Sequence, residues 1–302
     1  LAEGDIVNVL VIHNLASGFG DDSICDFVRK YSVAGDSVTI RSLDQSTPLS
    51  SLLTDANQFD FVVACGGDGT VSAVCYELRY TGIPILPFPA GTANLMAMNL
   101  FSPTEPHALV NLVDNARTLD FDLGQIEGPQ GTFGFSIMAG CGYDHLIMSK
   151  AQPNKQLLGP AAYFQAVFTN LNPVHANFEL TVDGTTIQTS GIGAVFANFD
   201  KIQFDLTVSE TNSPIDGMLD VVVLKADSAI ELLPTMVAKA IDRTGNLARK
   251  IGGLEVYRGH EIRIEATPRL MMEYDGEPTE INTPFVVRCL PGACRLIVSQ
   301  EC

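Results

Sequence analysis

An apolar run that empties into a glycine-rich turn is the feature that most restricts this chain. Phe61-Val62-Val63-Ala64 leads into Cys65-Gly66-Gly67-Asp68-Gly69-Thr70, after which a helix is expected over 71–80. A strand that ends in so little side-chain bulk and passes straight into a helix is a junction of α/β folds. There, backbone N–H groups and a helix N-terminus can approach a phosphate chain closely. The spacing is neither a Walker loop, because no Gly-Lys-Ser/Thr follows, nor the G-x-G-x-x-G of dinucleotide folds. An acid inside such a cradle points to a metal bridge to a nucleotide. A plain tight turn would use the same glycines, and one motif does not separate the two readings.

The surroundings of the turn support the α/β reading. Apolar strands are expected at 6–12, 37–40, 59–64 and 83–86. Helices are expected from Asp21-Asp22-Ser23 to near Lys30, over 71–80 and 94–100, and from Thr104-Glu105-Pro106 onward. Such alternation implies a parallel, doubly wound sheet, whose ligands bind beyond the carboxyl ends of the strands. After about residue 120 short strands dominate, at 119–126, 133–139, 176–182, 191–197, 219–224, 261–266, 270–274 and 285–288. Asp183-Gly184 and Asp275-Gly276 are hairpin signals. This half reads as an antiparallel β-sandwich, interrupted by helical stretches at 159–170 and 228–240. A length of 302 residues suits two domains. They are expected at 1–120, with the tail 291–302 open as a completing piece, and at 121–290.

Seven cysteines with no C-x-x-C pair read as free thiols in a reducing compartment. The apolar runs are strand-sized, and Leu1-Ala2-Glu3-Gly4 carries no leader pattern, so a cytoplasmic protein is expected. A net charge of −17 argues against nucleic acid as a partner and against adsorption to anionic lipid. Arg243, Arg249 and Lys250 form the one basic cluster. His13, His145, His175 and His260 read as structural. Leu146-Ile147-Met148 and the stretch 163–168 read as core, with a lipid groove as the alternative.

Six motifs in order and spacing resemble the diacylglycerol kinase catalytic-domain family, which includes bacterial lipid kinases and sphingosine kinases and is distantly related to NAD kinases and phosphofructokinases. His13-Asn14-Leu15-Ala16-Ser17-Gly18 resembles its first loop, and Gly66-Gly67-Asp68-Gly69-Thr70 matches its signature. Pro89-Ala90-Gly91-Thr92-Ala93-Asn94 resembles the second phosphate-side motif, and Asp120-Phe121-Asp122-Leu123-Gly124 the segment that enters the second domain. Asp216-Gly217-Met218-Leu219-Asp220 and Asp275-Gly276-Glu277 resemble two late motifs. The resemblance covers nearly the whole chain.

It implies MgATP-dependent phosphorylation of a lipid hydroxyl, with transient membrane contact to reach the substrate. Gly66, Gly67, Asp68, Gly69, Thr70, Val71, Ser72 and Ala73 would surround ATP, with Gly91 and Thr92 nearby. Asn14, Ser17 and Gly18 would form the other wall, and Ser42 would be a further contact. Asp68 would help hold Mg²⁺, and Glu277 falls where the family places its proton acceptor, with Asp275 the other candidate. A second, structural Mg²⁺ would map to Asp216 and the carbonyls of Ser213 and Met218. Asp122 and Asp144 could extend a carboxylate network. Ser72-Ala73 stands where many bacterial members have Asn-Glu, Leu95 where they have Asp, and Met98 where a subset has Arg. The rivals are a kinase for NAD or another small molecule, and a non-catalytic nucleotide or lipid sensor. The acceptor lipid is open, and a homodimer is one of the assemblies open to the chain.

Overall fold

The computed structural model describes residues 7–17, 21–33, 36–44, 46–91, 93–115, 117–143, 145–146, 173–199, 201–202, 206–207, 213–225 and 253–300. Gly18, Thr92, Asp144, the 147–148 and 163–168 stretches, the helices expected at 159–170 and 228–240, and the basic cluster lie outside the described residues. The chain divides into two compact units, Leu1–Phe121 with Gly292–Cys302, and Asp122–Pro291.

The first unit carries β1 (Asn8–Asn14), α1 (Asp21–Val33), β2 (Ser37–Leu43), a one-turn α2 (Leu49–Leu52), β3 (Phe61–Gly66), α3 (Asp68–Glu77), β4 (Ile85–Pro89), α4 (Leu95–Asn99) and α5 (Pro106–Asp114). The four strands are parallel in the order β2-β1-β3-β4. β1 therefore has its sequence neighbour on one side and β3 on the other, the strand-order reversal at which doubly wound sheets bind ligands. Every residue of β3 is buried, as expected of a parallel strand covered on both faces. Ile24, Phe27 and Tyr31 recur at helical spacing on α1 and pack with Val9, Val11, Val63, Phe88, Leu109 and Val113 into one core. Pro106 opens α5 at a position where a missing N–H costs nothing.

Two strands carry the chain between the units, β5 (Arg117–Gly128) and the last strand. The second unit holds β6 (Gly131–Phe135), β7 (Met138–Gly142), β8 (Ala176–Val182), β9 (Thr185–Gly191), β10 (Gly193–Ala197), the two-residue pair β11 (Lys201–Ile202) and β12 (Leu206–Thr207), β13 (Leu219–Leu224), β14 (Leu254–Gly259), β15 (Glu261–Thr267), β16 (Met271–Tyr274), β17 (Glu277–Asn282) and the start of β18 (Phe285–Val298). One sheet runs β18-β15-β8-β9, and another runs β14-β13-β10-β7-β16-β17 with every pairing antiparallel. Phe135, Phe178, Phe196 and Phe285 are fully buried in the core between them, each contributing roughly 1.5–3 kcal/mol through burial. Phe196 and Phe285, from opposite sheets, meet edge to face at 5.8 Å. This is the α/β domain followed by a β-sandwich that the residue patterns imply.

Several elements differ from expectation. The strand expected at 133–139 is two strands, broken at Ser136-Ile137, where the chain leaves the partner of β5 and joins the other sheet. The Asp275 carboxylate takes up the N–H groups that the break removes from the ladder. The strand expected to stop at 288 runs on to Val298 through Pro291-Gly292, and its Leu296 pairs with Ile85 of β4. β14 and β17 were not expected, because neither alternates cleanly. Cys65, Cys75, Cys141, Cys289 and Cys294 are buried cysteines outside any disulfide, and Cys25 is an exposed one. Among the described residues no helix is long and apolar enough to cross a membrane.

Candidate functional site

The glycine turn sits where the first unit's strand order reverses. Gly67 precedes α3 in extended backbone (φ −77, ψ 177), and its carbonyl accepts the N–H groups of Thr70 and Val71. Those two donors are thereby used in starting the helix. The close approach to a ligand consequently belongs to the turn itself, Gly66 to Gly69. A Cβ on Gly66 would lie 2.6 Å from the Thr70 side chain, so only glycine lets the first turn of α3 close on the strand.

The first loop clasps this turn from β1. Asn14, the last residue of β1, donates from Nδ2 to Thr70 Oγ1 at 2.7 Å, while its Oδ1 accepts the Ala16 N–H. The Gly67 N–H donates to Ser17 Oγ at 3.2 Å. On the other side the segment after β4 comes equally near. A Cβ on Gly91 would stand 2.5 Å from Gly67 Cα, so the two glycines touch backbone to backbone. Asn94 holds that approach in a left-handed conformation (φ 52), accepting the Gly91 N–H at 2.7 Å and donating to its carbonyl at 2.9 Å. Asp68 Oδ1 accepts the Met96 N–H at 3.0 Å, which orients the carboxylate. Three loops thus present bare backbone and one hard carboxylate, a donor set that fits a phosphate chain carrying Mg²⁺.

Not every expected residue joins this group. Ser42 pairs with His13 on the far side of β1 from Cys65, so it lies at the same end of the sheet but outside the clasp. Val71 and Ser72 are buried in α3, and Ala73 is exposed.

In the second unit, Asp275 and Gly276 form the two-residue turn between β16 and β17 with φ +46 and +81, the mirror-image turn that Asp-Gly predicts. The two candidate bases differ sharply. Asp275 is buried; its Oδ2 accepts the Ser136 N–H and its Oδ1 those of Ile137 and Met138, at 2.9 to 3.1 Å. Glu277 is exposed at the first position of β17. Burial raises the Tyr274 hydroxyl above its ordinary value, with the Asp275 and Glu277 charges adding to it.

Ser213, Asp216 and Met218 share one turn. The Asp216 N–H donates to the Ser213 carbonyl at 3.3 Å, and Asp216 Oδ1 accepts the Met218 N–H at 3.0 Å. Asp216 Oδ2 pairs with Arg258, a residue that sequence reasoning missed entirely. Asp122 also belongs here, since its Oδ2 accepts the Gly217 N–H at 2.6 Å. Arg258 reaches the turn through cross-strand register, which no local pattern announces.

Comparison with known proteins follows the same division. The diacylglycerol kinase catalytic domain matches residues 8–126, and the YegS C-terminal NAD kinase beta sandwich-like domain matches residues 137–298. An uncharacterized protein of Synechocystis is 26% identical over 278 residues, 88% of this chain and 62% of its own length. A diacylglycerol kinase of Mycobacterium tuberculosis is 32% identical over 178 residues, 58% of either chain. The chain thus spans about three fifths of the length of these two relatives. The crystal structure of a diacylglycerol kinase from Bacillus anthracis covers 98% of this chain, and 99% of its own, with a TM-score of 0.79. At 19% identity that likeness concerns the fold.

Proposed function

The chain belongs to the family that joins a diacylglycerol kinase catalytic domain to a YegS-type C-terminal domain, and from that membership we propose that it transfers the γ-phosphoryl group of ATP to a lipid hydroxyl, diacylglycerol- or sphingoid-like, yielding a phospholipid. The observation that carries this reading is the backbone contact of Gly67 with Gly91 beside the oriented Asp68 carboxylate. Phosphoryl transfer needs positioning and charge neutralisation more than covalent help. Asn14 and Ser17 hold the first loop on the turn, and Asn94 holds the second, so the chain's own hydrogen bonds fix the cradle. Asp68 would hold Mg²⁺, which supplies neutralisation of the phosphate charge. Glu277 accepts the proton of the attacking hydroxyl. Asp275 does not take that role, because three backbone N–H groups occupy its oxygens; it positions the turn that carries Glu277. Membrane contact is transient, made to reach the lipid.

The test is incorporation of radiolabel from ATP into a panel of diacylglycerol, sphingoid base and ceramide, with NAD as a competing acceptor. Labelled lipid is expected, lost in Asp68→Ala and in Glu277→Ala. Labelled NADP in place of lipid, or full activity in both variants, would overturn the reading. Nucleotide binding without turnover on any acceptor would favour a sensor.

A further inference from the structure

The turn from Ser213 to Met218 carries one exposed acid, Asp216, and two buried acids, Asp122 and Asp220, accompany it in the second unit. Asp122 is 2% exposed and clamps the turn twice, accepting the Gly217 N–H at 2.6 Å and donating its own N–H to the Pro214 carbonyl at 2.7 Å. Asp220, on β13, is fully buried. Asp216 lies between them in sequence, on the turn itself. A buried carboxylate stays ionised only with a counter-charge against it. Family resemblance would supply a divalent cation, held by Asp216 and the carbonyls of Ser213 and Met218.

Those residues do not fit that ion here. Arg258 stands directly across from Asp220 in the β13–β14 register. Its Nη2 pairs with Asp216 Oδ2, and its Nε lies 3.5 Å from Asp220 Oδ1. The other Asp216 oxygen accepts the Met218 N–H, and the Ser213 carbonyl accepts the Asp216 N–H. Mg²⁺ demands about six oxygens in near-ideal octahedral geometry. A dication placed here would meet an aspartate already committed and a guanidinium at contact distance, which repels it.

We infer that the Arg258 guanidinium is the built-in counter-ion of this turn, bridging Asp216 and Asp220 and making the turn independent of divalent cations. The planar fork of arginine suits the task, since one end reaches the turn while the other faces the buried acid. The inference stands apart from the identity of the lipid, and from whether transfer occurs at all.

Thermal unfolding in Mg²⁺ and in EDTA, without nucleotide, tests it. The wild-type protein is expected to melt at the same temperature in both. Arg258→Gln is expected to melt lower in EDTA by roughly 6–10 °C, because the guanidinium charge beside Asp216 and Asp220 is removed, and to recover part of that in Mg²⁺ or Mn²⁺. Arg258→Lys, which keeps the charge, is expected to remain insensitive to EDTA. Mg²⁺ stabilisation of the wild type that disappears in Asp216→Asn would overturn the proposal. Equal melting of Arg258→Gln and wild type in EDTA would also overturn it. If Arg258→Gln does not fold, the wild-type and Asp216→Asn comparison still decides, and stabilisation that survives Asp216→Asn arises elsewhere and leaves the inference standing.

Discussion

Gly91 and Asp275 mark the two kinds of residue on which this molecule turns. A methyl group on Gly91 would meet Gly67 Cα at 2.5 Å, with the Gly67 backbone N at 3.3 Å. Neither is the tip of a flexible side chain that could move aside. Gly91→Ala is therefore expected to destabilise by about 1–3 kcal/mol in urea titration and to weaken nucleotide binding by fluorescence titration. Asp275→Asn removes one acceptor oxygen facing a fixed backbone N–H and is expected to cost about 1–3 kcal/mol. Glu277→Gln, at an exposed site, is expected to stay within about 0.5 kcal/mol of wild type while abolishing turnover. That split between stability and rate separates a positioning residue from a base; equal destabilisation by both would refute it. The glycine signature was legible as a tight strand-to-helix turn from its own residues. The bracing of Asp275 was not, because Ser136, Ile137 and Met138 lie more than a hundred residues away.

Elements followed their local patterns where a pattern existed. β8 alternates buried and exposed residues along its length and lies where period-two reading places it. The break between β6 and β7 could not be read, since Ser136 is the one polar residue between Phe133 and Ala139 and a remote carboxylate decides where the ladder stops. Charged pairs then tie elements together within each unit. The Arg295 side chain, hydrogen-bonded to Asp120, holds that carboxyl below its usual 3.8 and joins β18 to β5. Arg41 does the same to Asp55, and Thr189, with Lys225 and Tyr257, to Glu255. For each the folded state favours the ionised form. Its contribution is present above the ordinary carboxyl value and is lost as pH falls through the lowered folded value. Urea midpoints are therefore expected to fall as the pH drops below the ordinary carboxyl values of 3.8 and 4.5, and Asp120→Asn to show a shallower acid loss than wild type. An unchanged acid profile in that variant would remove the pair from the account.

At the scale of the whole molecule, the net charge of −17 acts on any encounter with a lipid surface. Turnover on mixed vesicles is expected to fall as the anionic lipid fraction rises and to recover with added salt, which shortens the screening length to about 10 Å near 0.1 M. Turnover that rises with anionic lipid would contradict a purely repulsive approach. Composition and local order determined much about this protein: an α/β unit before a β-sandwich, a glycine turn at a strand end, two Asp-Gly hairpins and the family to which these belong. Each of those signals resides in contiguous residues, whose sterics and periodicity act without the rest of the chain. Tertiary structure alone decided that Gly67 touches Gly91, that Asp275 is a brace, that β18 continues past Pro291-Gly292, and that Arg258 lies opposite Asp220. Those facts depend on sheet register and on the approach of remote segments, which no local pattern of side chains encodes.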